Sequence, residues 1–131
     1  FLGMRTQDEV RAHMARATVM ALPCIVGADG NRDALPTVLD EAQAAGLPIL
    51  STPVGGVEEI ADFGKAGIIV PPEDVGTLAT ELGKLLRDPA RLAALAKAGR
   101  QRAEQCFDLG TNVGKLLSWY QKGKKPPEGW L

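Results

Sequence analysis

Apolar residues follow two different spacings along this chain. Short apolar runs occupy 18–22, 49–52 and 67–70, and a proline follows each one. Such runs are typical of strands buried on both faces of a parallel sheet. Elsewhere the apolar residues recur every three or four positions, as in amphipathic helices. The pattern predicts three strands and a strand stub at Phe1–Leu2. Four predicted helices cover 6–16, 37–45, 90–106 and 109–120. A short helix of one or two turns is predicted after Gly56, and a long helix is predicted to begin at Glu73–Asp74.

Strands that alternate with helices predict an α/β fold, a Rossmann-like parallel sheet with flanking helices. A doubly wound nucleotide-binding domain usually has five or six strands, whereas this pattern gives three and a stub. We therefore expect an incomplete domain over 1–121, corresponding to the second half of such a fold, with Phe1 marking a missing beginning. The segment 122–131 is predicted to be a poorly ordered tail.

Composition excludes several classes of function. The 131 residues include 15 Lys and Arg against 16 Asp and Glu, a net charge of −1 that disfavours a nucleic-acid binder. Cys24 and Cys106 lack the spacing of a metal or redox motif, and His13 is the single histidine, so we expect no metal site. No apolar run approaches the roughly 18 residues of a membrane span, and we expect a cytoplasmic protein.

Candidate chemistry gathers around the start of the second long helix. Ligands of open α/β sheets bind at the carboxyl ends of the strands. A helix starting at Pro36–Thr37 would offer free amides there for a phosphate. Glu41, one turn inside, could accept hydrogen bonds from two sugar hydroxyls, and Asp33 from hydroxyls on the other side. The arrangement predicts a site for a nucleotide diphosphate sugar. Taken separately, Asp33 is more simply interpreted as a capping residue, and Glu41 as a solvent-exposed helix position.

A second candidate is the turn at Gly55–Gly56, which leads into another helix start. Its bare backbone could approach a ligand closely. The alternative is a tight strand-to-helix turn without a ligand. No P-loop lysine and no Gly-x-Gly-x-x-Gly motif accompanies it.

The aromatic pair Trp119–Tyr120 allows two interpretations. With Lys122, Lys124 and Lys125 it could form a membrane-surface anchor. The sequence favours the other reading, in which the pair packs on the core and a basic tail follows it.

Three stretches together resemble the C-terminal domain of retaining GT-B glycosyltransferases of family 4. They are an acidic residue separated by seven residues from a glutamate (Asp33 and Glu41), an Ala-Ala-Gly-Leu-Pro helix stop, and a Thr-x-x-Gly-Gly-x-x-Glu turn. The order and spacing are those of the family, and the resemblance covers about residues 1–120.

The resemblance implies the donor-binding part of an enzyme that transfers a hexose, with retention, from a UDP or GDP sugar to a glycan or lipid-linked acceptor. It implies that Glu41 binds the ribose hydroxyls and that Asp33, the candidate catalytic residue, binds the hydroxyls of the transferred sugar. No cofactor is implied, because the nucleotide sugar is a substrate. The other implied donor contacts are Leu35, Pro36 and Thr37 at the sugar or diphosphate, and Gly3, Met4 and Arg5 near the nucleobase. Gly55 and Gly56 remain candidates for ligand binding through their bare backbone.

The family also has parts that this sequence lacks. Its phosphate-neutralising basic residues lie upstream of the segment that Phe1–Gly3 resembles, and a separate N-terminal domain binds the acceptor. We therefore expect the isolated chain to be inactive. Peripheral contact with a membrane is a separate expectation for the full-length protein. The segment 23–33 resembles a branch acting in exopolysaccharide or lipid-linked glycan assembly. The alternative is a non-catalytic α/β binding or assembly fragment.

Overall fold

The computed structural model describes residues 1–123. A 3-10 turn at Asp62–Gly64 lies between the third helix and the third strand. In chain order, the regular elements are α1 (Gln7–Met14), β1 (Met20–Leu22), α2 (Thr37–Ala44), β2 (Ile49–Ser51), α3 (Val57–Ile60), β3 (Ile68–Ile69), α4 (Val75–Leu86), α5 (Pro89–Cys106) and α6 (Leu109–Gln121).

The three strands form one parallel sheet in the order β1–β2–β3. Successive residues of a strand point to opposite faces. On one face Ile49 packs in a cluster with Leu39 of α2 and Val57 of α3. On the other face Leu50 packs with Leu85 of α4. The core therefore lies on both sides of the sheet, and the predicted α/β fold with flanking helices is confirmed.

The helix boundaries follow local signals in the sequence. Thr6 Oγ1 accepts from the Glu9 amide at 3.3 Å, and Glu9 Oε2 accepts from the Thr6 amide at 2.8 Å, which completes a capping box before α1. Gly46, with φ of 73°, adopts the left-handed conformation just after α2. These reciprocal and glycine-based signals place helix ends within about two residues of the predicted positions.

Two expectations are wrong. Phe1 and Leu2 are exposed and form no strand, because no strand among residues 1–123 supplies the ladder hydrogen bonds that this segment would need. The aromatic pair does not pack on the core as a unit, because Trp119 is half-buried while Tyr120 is exposed. The predicted tail lies outside the described residues from position 124 onward.

Candidate functional site

The loops that follow β1 and β2 leave the carboxyl edge of the sheet side by side. The buried Ser51 hydroxyl donates to the Leu22 carbonyl oxygen at 2.6 Å, and the buried Thr52 hydroxyl donates to the Cys24 carbonyl oxygen at 2.5 Å. A hydroxyl buried without a partner would carry a desolvation cost. These two bonds avoid that cost and fix the point where each loop departs.

The loop between β1 and α2, residues 23–36, is ordered by its own carboxylates. Asp29 Oδ1 accepts from the Asn31 amide at 3.0 Å, and Asp33 Oδ1 accepts from the Leu35 amide at 3.1 Å. The second bond closes an Asx turn. Asp33 is exposed, so one of its oxygens shapes the loop while the side chain stays accessible to solvent.

The turn after β2 packs directly under this loop. The Gly56 amide donates to the Ala34 carbonyl oxygen at 2.8 Å. Gly55 has φ of 61°, and a Cβ there would lie 2.4 Å from the Asp33 carbonyl oxygen. A Cβ on Gly56 would lie 2.7 Å from Leu35 Cδ1. Position 55 therefore requires glycine, because its neighbours are backbone atoms, whereas at Gly56 the exposed Leu35 side chain could move aside. Direct contact of either glycine with a ligand stays a prediction.

Helix α2 begins without a side-chain cap. Its N-cap is the buried Pro36, which makes no side-chain hydrogen bond to the amides that follow. The first amides of a helix have no partner within the helix and carry the positive end of its dipole. The start of α2 at Thr37 can therefore hold an anion. Side chains cap four other helices: Thr6 (α1), Asp74 (α4), Asp88 (α5) and Asp108 (α6).

Glu41 lies one turn further along α2, on its exposed side. It borders a cavity of about 350 Å³ that Arg100 also lines, and a second cavity of about 480 Å³ beside α1 that Arg11 also lines. Asp33 borders neither of these cavities. In the structure the loop that carries Asp33 and Leu35 contacts the two glycines. Glu41 lies apart from this contact, between the two cavities.

The residues predicted near the nucleobase lie before α1. Gly3, Met4 and Arg5 are exposed, and the Arg5 guanidinium pairs with Glu9 at 3.2 Å. Within the described residues no hydrogen bond or ion pair joins these three residues to the loop that carries Asp33. Their proximity to a nucleobase stays a prediction.

One carboxylate on α2 was not predicted to matter. Burial raises the pKa of Asp40 from its ordinary value of 3.8 to about 6, although the nearby Arg102 guanidinium lowers it. Arg102 also donates to the Glu59 carbonyl oxygen at 2.9 Å and lies 5.7 Å from the centre of the Phe107 ring. Asp40 Oδ1 and Arg102 Nε are both buried without a hydrogen-bond partner. No local sequence pattern could connect Asp40 with Arg102, because their helices, α2 and α5, are far apart in the sequence.

Gln43 is a second residue that sequence reasoning missed. Its buried side-chain amide donates to the carbonyl oxygens of Ile60 and Ala66, at 3.1 Å each. These bonds tie α2 to the end of α3 and to the segment that enters β3. The signal was its position four residues after Leu39, on the face of α2 that packs into the core.

The chemistry of this region comes from carboxylates, backbone amides and arginines. Across residues 1–123, no three His, Cys, Asp or Glu side chains are grouped so that they could hold a metal ion. None of the helices in this part of the chain is both long enough and apolar enough to span a bilayer.

A parallel sheet covered by helices on both faces, with an open helix start at its carboxyl edge, is the architecture of α/β domains that bind nucleotides beyond the strand ends. Residues 1–102 match the family model described as glycosyl transferases group 1. The chain therefore belongs to this family.

Individual relatives agree with this result. A protein of Escherichia coli K12, assigned as a colanic acid biosynthesis glycosyltransferase, is 36% identical over 120 residues, which cover 91% of this chain and 30% of the relative. The GDP-mannose-dependent alpha-(1-6)-phosphatidylinositol monomannoside mannosyltransferase of Mycolicibacterium smegmatis is 37% identical over 122 residues, 90% of this chain and 32% of that protein. The chain spans about a third of the length of these curated relatives.

A solved structure supports the fold. Sucrose-phosphate synthase from Thermosynechococcus elongatus matches with a TM-score of 0.80 and 26% sequence identity. The match covers 93% of this chain and 29% of the synthase. The predicted resemblance to a GT-B glycosyltransferase domain is confirmed.

Proposed function

We propose that this chain is the donor-binding part of a retaining glycosyltransferase. The donor is a hexose carried on UDP or GDP, and the acceptor is a glycan or a lipid-linked glycan in polysaccharide synthesis. The family match and the colanic acid relative support this assignment. The mycolicibacterial relative is GDP-mannose-dependent, which favours GDP over UDP.

One observation carries the proposal. Helix α2 starts without a side-chain cap at the carboxyl edge of the sheet, after Asp33 and before Glu41. Uncapped amides and a positive dipole end favour a diphosphate. Exposed carboxylates accept hydrogen bonds from vicinal hydroxyls, which a ribose and a hexose both present.

Each residue then has a distinct role. The uncapped amide at Thr37 binds the diphosphate or the sugar, while the Leu35 amide, which donates to Asp33 Oδ1, holds the loop beside it. Asp33 binds hydroxyls of the transferred sugar, and Glu41 binds the ribose. Gly3–Arg5 lie toward the nucleobase. The nucleotide sugar is consumed in the reaction, so no separate cofactor is required.

Turnover by the isolated 131-residue chain is not expected. Departure of a nucleoside diphosphate needs strong electrostatic stabilisation. The helix amides supply part of it, and in the family the basic residues that supply the rest come from upstream. We therefore expect nucleotide binding without sugar transfer, measured with a radiolabelled hexose donor and an oligosaccharide acceptor. Transfer by the isolated chain would contradict this expectation.

Calorimetric titration with GDP and UDP tests the site. We expect saturable binding of at least one nucleotide, and Glu41→Ala should weaken it about tenfold, because a charged hydrogen-bond acceptor is lost. The matched control is Glu73→Ala, which removes an exposed carboxylate before α4, away from both cavities that Glu41 borders. The control should bind like the unaltered chain.

Two results would count against the proposal. Equal affinity of the Glu41→Ala and unaltered chains would remove the ribose assignment. Absence of any nucleotide binding by a folded chain would favour the non-catalytic assembly fragment.

A further inference from the structure

Gln43 is a fully buried polar side chain on α2, and the two ends of its amide group are in different states. Its Nε2 donates to the carbonyl oxygens of Ile60 and Ala66, at 3.1 Å each, while its Oε1 is buried without a hydrogen-bond partner among residues 1–123. An unpaired buried oxygen carries a desolvation cost. An apolar side chain that only filled this space would avoid that cost, so the two donated bonds are what the amide contributes.

The bond to Ile60 closes a circuit of hydrogen bonds that runs through α3. Ile60 is the last residue of this single-turn helix, where carbonyl groups have no donor within the helix. The Ile60 amide donates to the Gly56 carbonyl oxygen at 3.1 Å, and the Gly56 amide donates to the Ala34 carbonyl oxygen at 2.8 Å. Ala34 lies three residues before Thr37, where α2 begins. This Gln43 circuit, made of Gln43, Ile60, Gly56 and Ala34, therefore joins the interior of α2 to the loop that precedes it.

Close packing leaves Gln43 little freedom to move. Gly99 of α5 is buried against it, and a Cβ at that position would lie 3.1 Å from Gln43 Cγ and 3.4 Å from the Ala66 carbonyl oxygen. The backbone of α5 therefore lies directly against Gln43 and one of its two acceptors. Because the acceptors belong to separate segments, the end of α3 and the segment before β3, the two bonds fix both the position and the direction of the amide group.

We propose that Gln43 is a positioning residue of the donor site. Through the Gln43 circuit it fixes the loop that carries Asp33 relative to the uncapped start of α2, although its own side chain lies in the core. Asp33 and the Thr37 amide can bind the hydroxyls and the phosphates of one donor only if the distance between them is constant. The role in donor binding rests on the proposed function, whereas the link from Gln43 to the loop rests on the hydrogen bonds alone.

The link from Gln43 to the loop is tested first, without a ligand. Gln43→Met keeps the length of the side chain and removes both donors, and Gln101→Met makes the same change at an exposed position of α5. In two-dimensional NMR spectra of the 131-residue chain, Gln43→Met should move the amide resonances of Leu35 and Gly56. Gln101→Met should leave both resonances in place.

A second variant, Gly99→Ala, perturbs Gln43 while keeping its amide group. The new Cβ crowds Gln43 Cγ, and alanine favours a helix more than glycine does, so this variant should remain folded. We expect the resonances of Leu35 and Gly56 to move again, by a smaller amount. If neither resonance moves in Gln43→Met or in Gly99→Ala, the proposed link is wrong.

Calorimetric titration with GDP and UDP then measures the effect on the donor site. Gln43→Met should weaken binding about tenfold, which corresponds to the loss of one good hydrogen bond. The control for a general loss of stability is Leu82→Ala, which removes packing on the opposite face of the sheet. It should lower Tm and leave nucleotide affinity unchanged.

Two calorimetric results would overturn the positioning role. Gln43→Met could bind as tightly as the unaltered chain, or Leu82→Ala could lose as much affinity as Gln43→Met, which would make the effect one of stability alone. If the unaltered chain binds neither nucleotide, the proposed function fails, while the resonances of Leu35 and Gly56 still decide whether Gln43 holds the loop. The two failures are therefore distinguishable.

Discussion

Helices α2 and α4 both begin just beyond the carboxyl end of a strand in the same sheet, yet their first turns differ. Asp74 caps the start of α4. Its Oδ1 accepts a hydrogen bond from the Thr77 amide at 2.8 Å, and its Oδ2 accepts one from the Thr77 hydroxyl at 2.6 Å. Helix α2 begins at Pro36 with no side-chain cap. One helix start is satisfied by the protein itself, and the other remains available.

The carboxylates at the two helix starts also differ in their pKa values. Hydrogen bonds from Thr77 hold the pKa of Asp74 below its ordinary range. Burial raises the pKa of Asp40, in the first turn of α2, to about 6. A capped helix end contributes stability, whereas an open end retains binding capacity. The open start of α2 is therefore better suited to bind a ligand than the capped start of α4.

The largest expected effect comes from breaking the support of the open end. In Gly55→Ala the new Cβ would lie 2.4 Å from the Asp33 carbonyl oxygen, at a backbone φ of 61°. We expect a loss of about 3 kcal/mol in the free energy of unfolding, measured by urea denaturation, and weaker nucleotide binding in calorimetry.

The matched substitution is Gly114→Ala in α6, where a Cβ would meet nothing within 4 Å. It should raise stability by about 0.5–1 kcal/mol through helix propensity. Similar losses in the two variants would show that the contact between the loops does not constrain Gly55.

Removal of the cap on α4 should have an intermediate effect. Asp74→Ala deletes the acceptor of both Thr77 hydrogen bonds, and we expect Tm to fall by a few degrees. Nucleotide affinity should not change, because this helix start lies outside the proposed site. Weaker binding of GDP or UDP by a variant that is still folded would place α4 in the site and remove the contrast with α2.

The smallest effect concerns Asp40 and is visible in its pH dependence. Because folding raises this pKa from 3.8 to about 6, the native state binds the proton more tightly. The stabilisation is complete below pH 3.8 and is lost as the pH rises through about 6. At pH 7.5 we expect Asp40→Asn to be more stable by less than about 1 kcal/mol, after allowance for solvent screening of this half-exposed group.

Denaturation of the unaltered chain and of Asp40→Asn at pH 5 and pH 7.5 measures this difference. The advantage of the asparagine variant should shrink toward the lower pH. A constant difference between the two proteins would mean that Asp40 titrates normally.

Local signals predicted much of this fold. The helix start at Thr37 and the Ala-Ala-Gly-Leu-Pro helix stop at Gly46 each involve neighbours in sequence, and both are confirmed. The three apolar runs predicted the strands for the same reason, because burial on both faces needs no knowledge of the pairing partner.

The features that could not be predicted depend on contacts between distant segments. The requirement for glycine at 55 arises from a carbonyl oxygen of Asp33 in another loop. The environment of Asp40 depends on Arg102 of α5. Tyr120 is aromatic, which predicts a place in the core, yet it is exposed to solvent. No residue among the first 123 covers that side of α6.

The hydrogen bond from the Gly56 amide to the Ala34 carbonyl oxygen has a consequence for motion. It joins a loop of 14 residues to a much shorter turn, in addition to the bond from the Thr52 hydroxyl to the Cys24 carbonyl oxygen at the base of that loop. If the longer loop lifts, the Gly56 amide loses its partner, so the two segments open together as one cooperative unit. Exchange of that single amide proton with deuterium would therefore report how often the whole edge of the sheet opens.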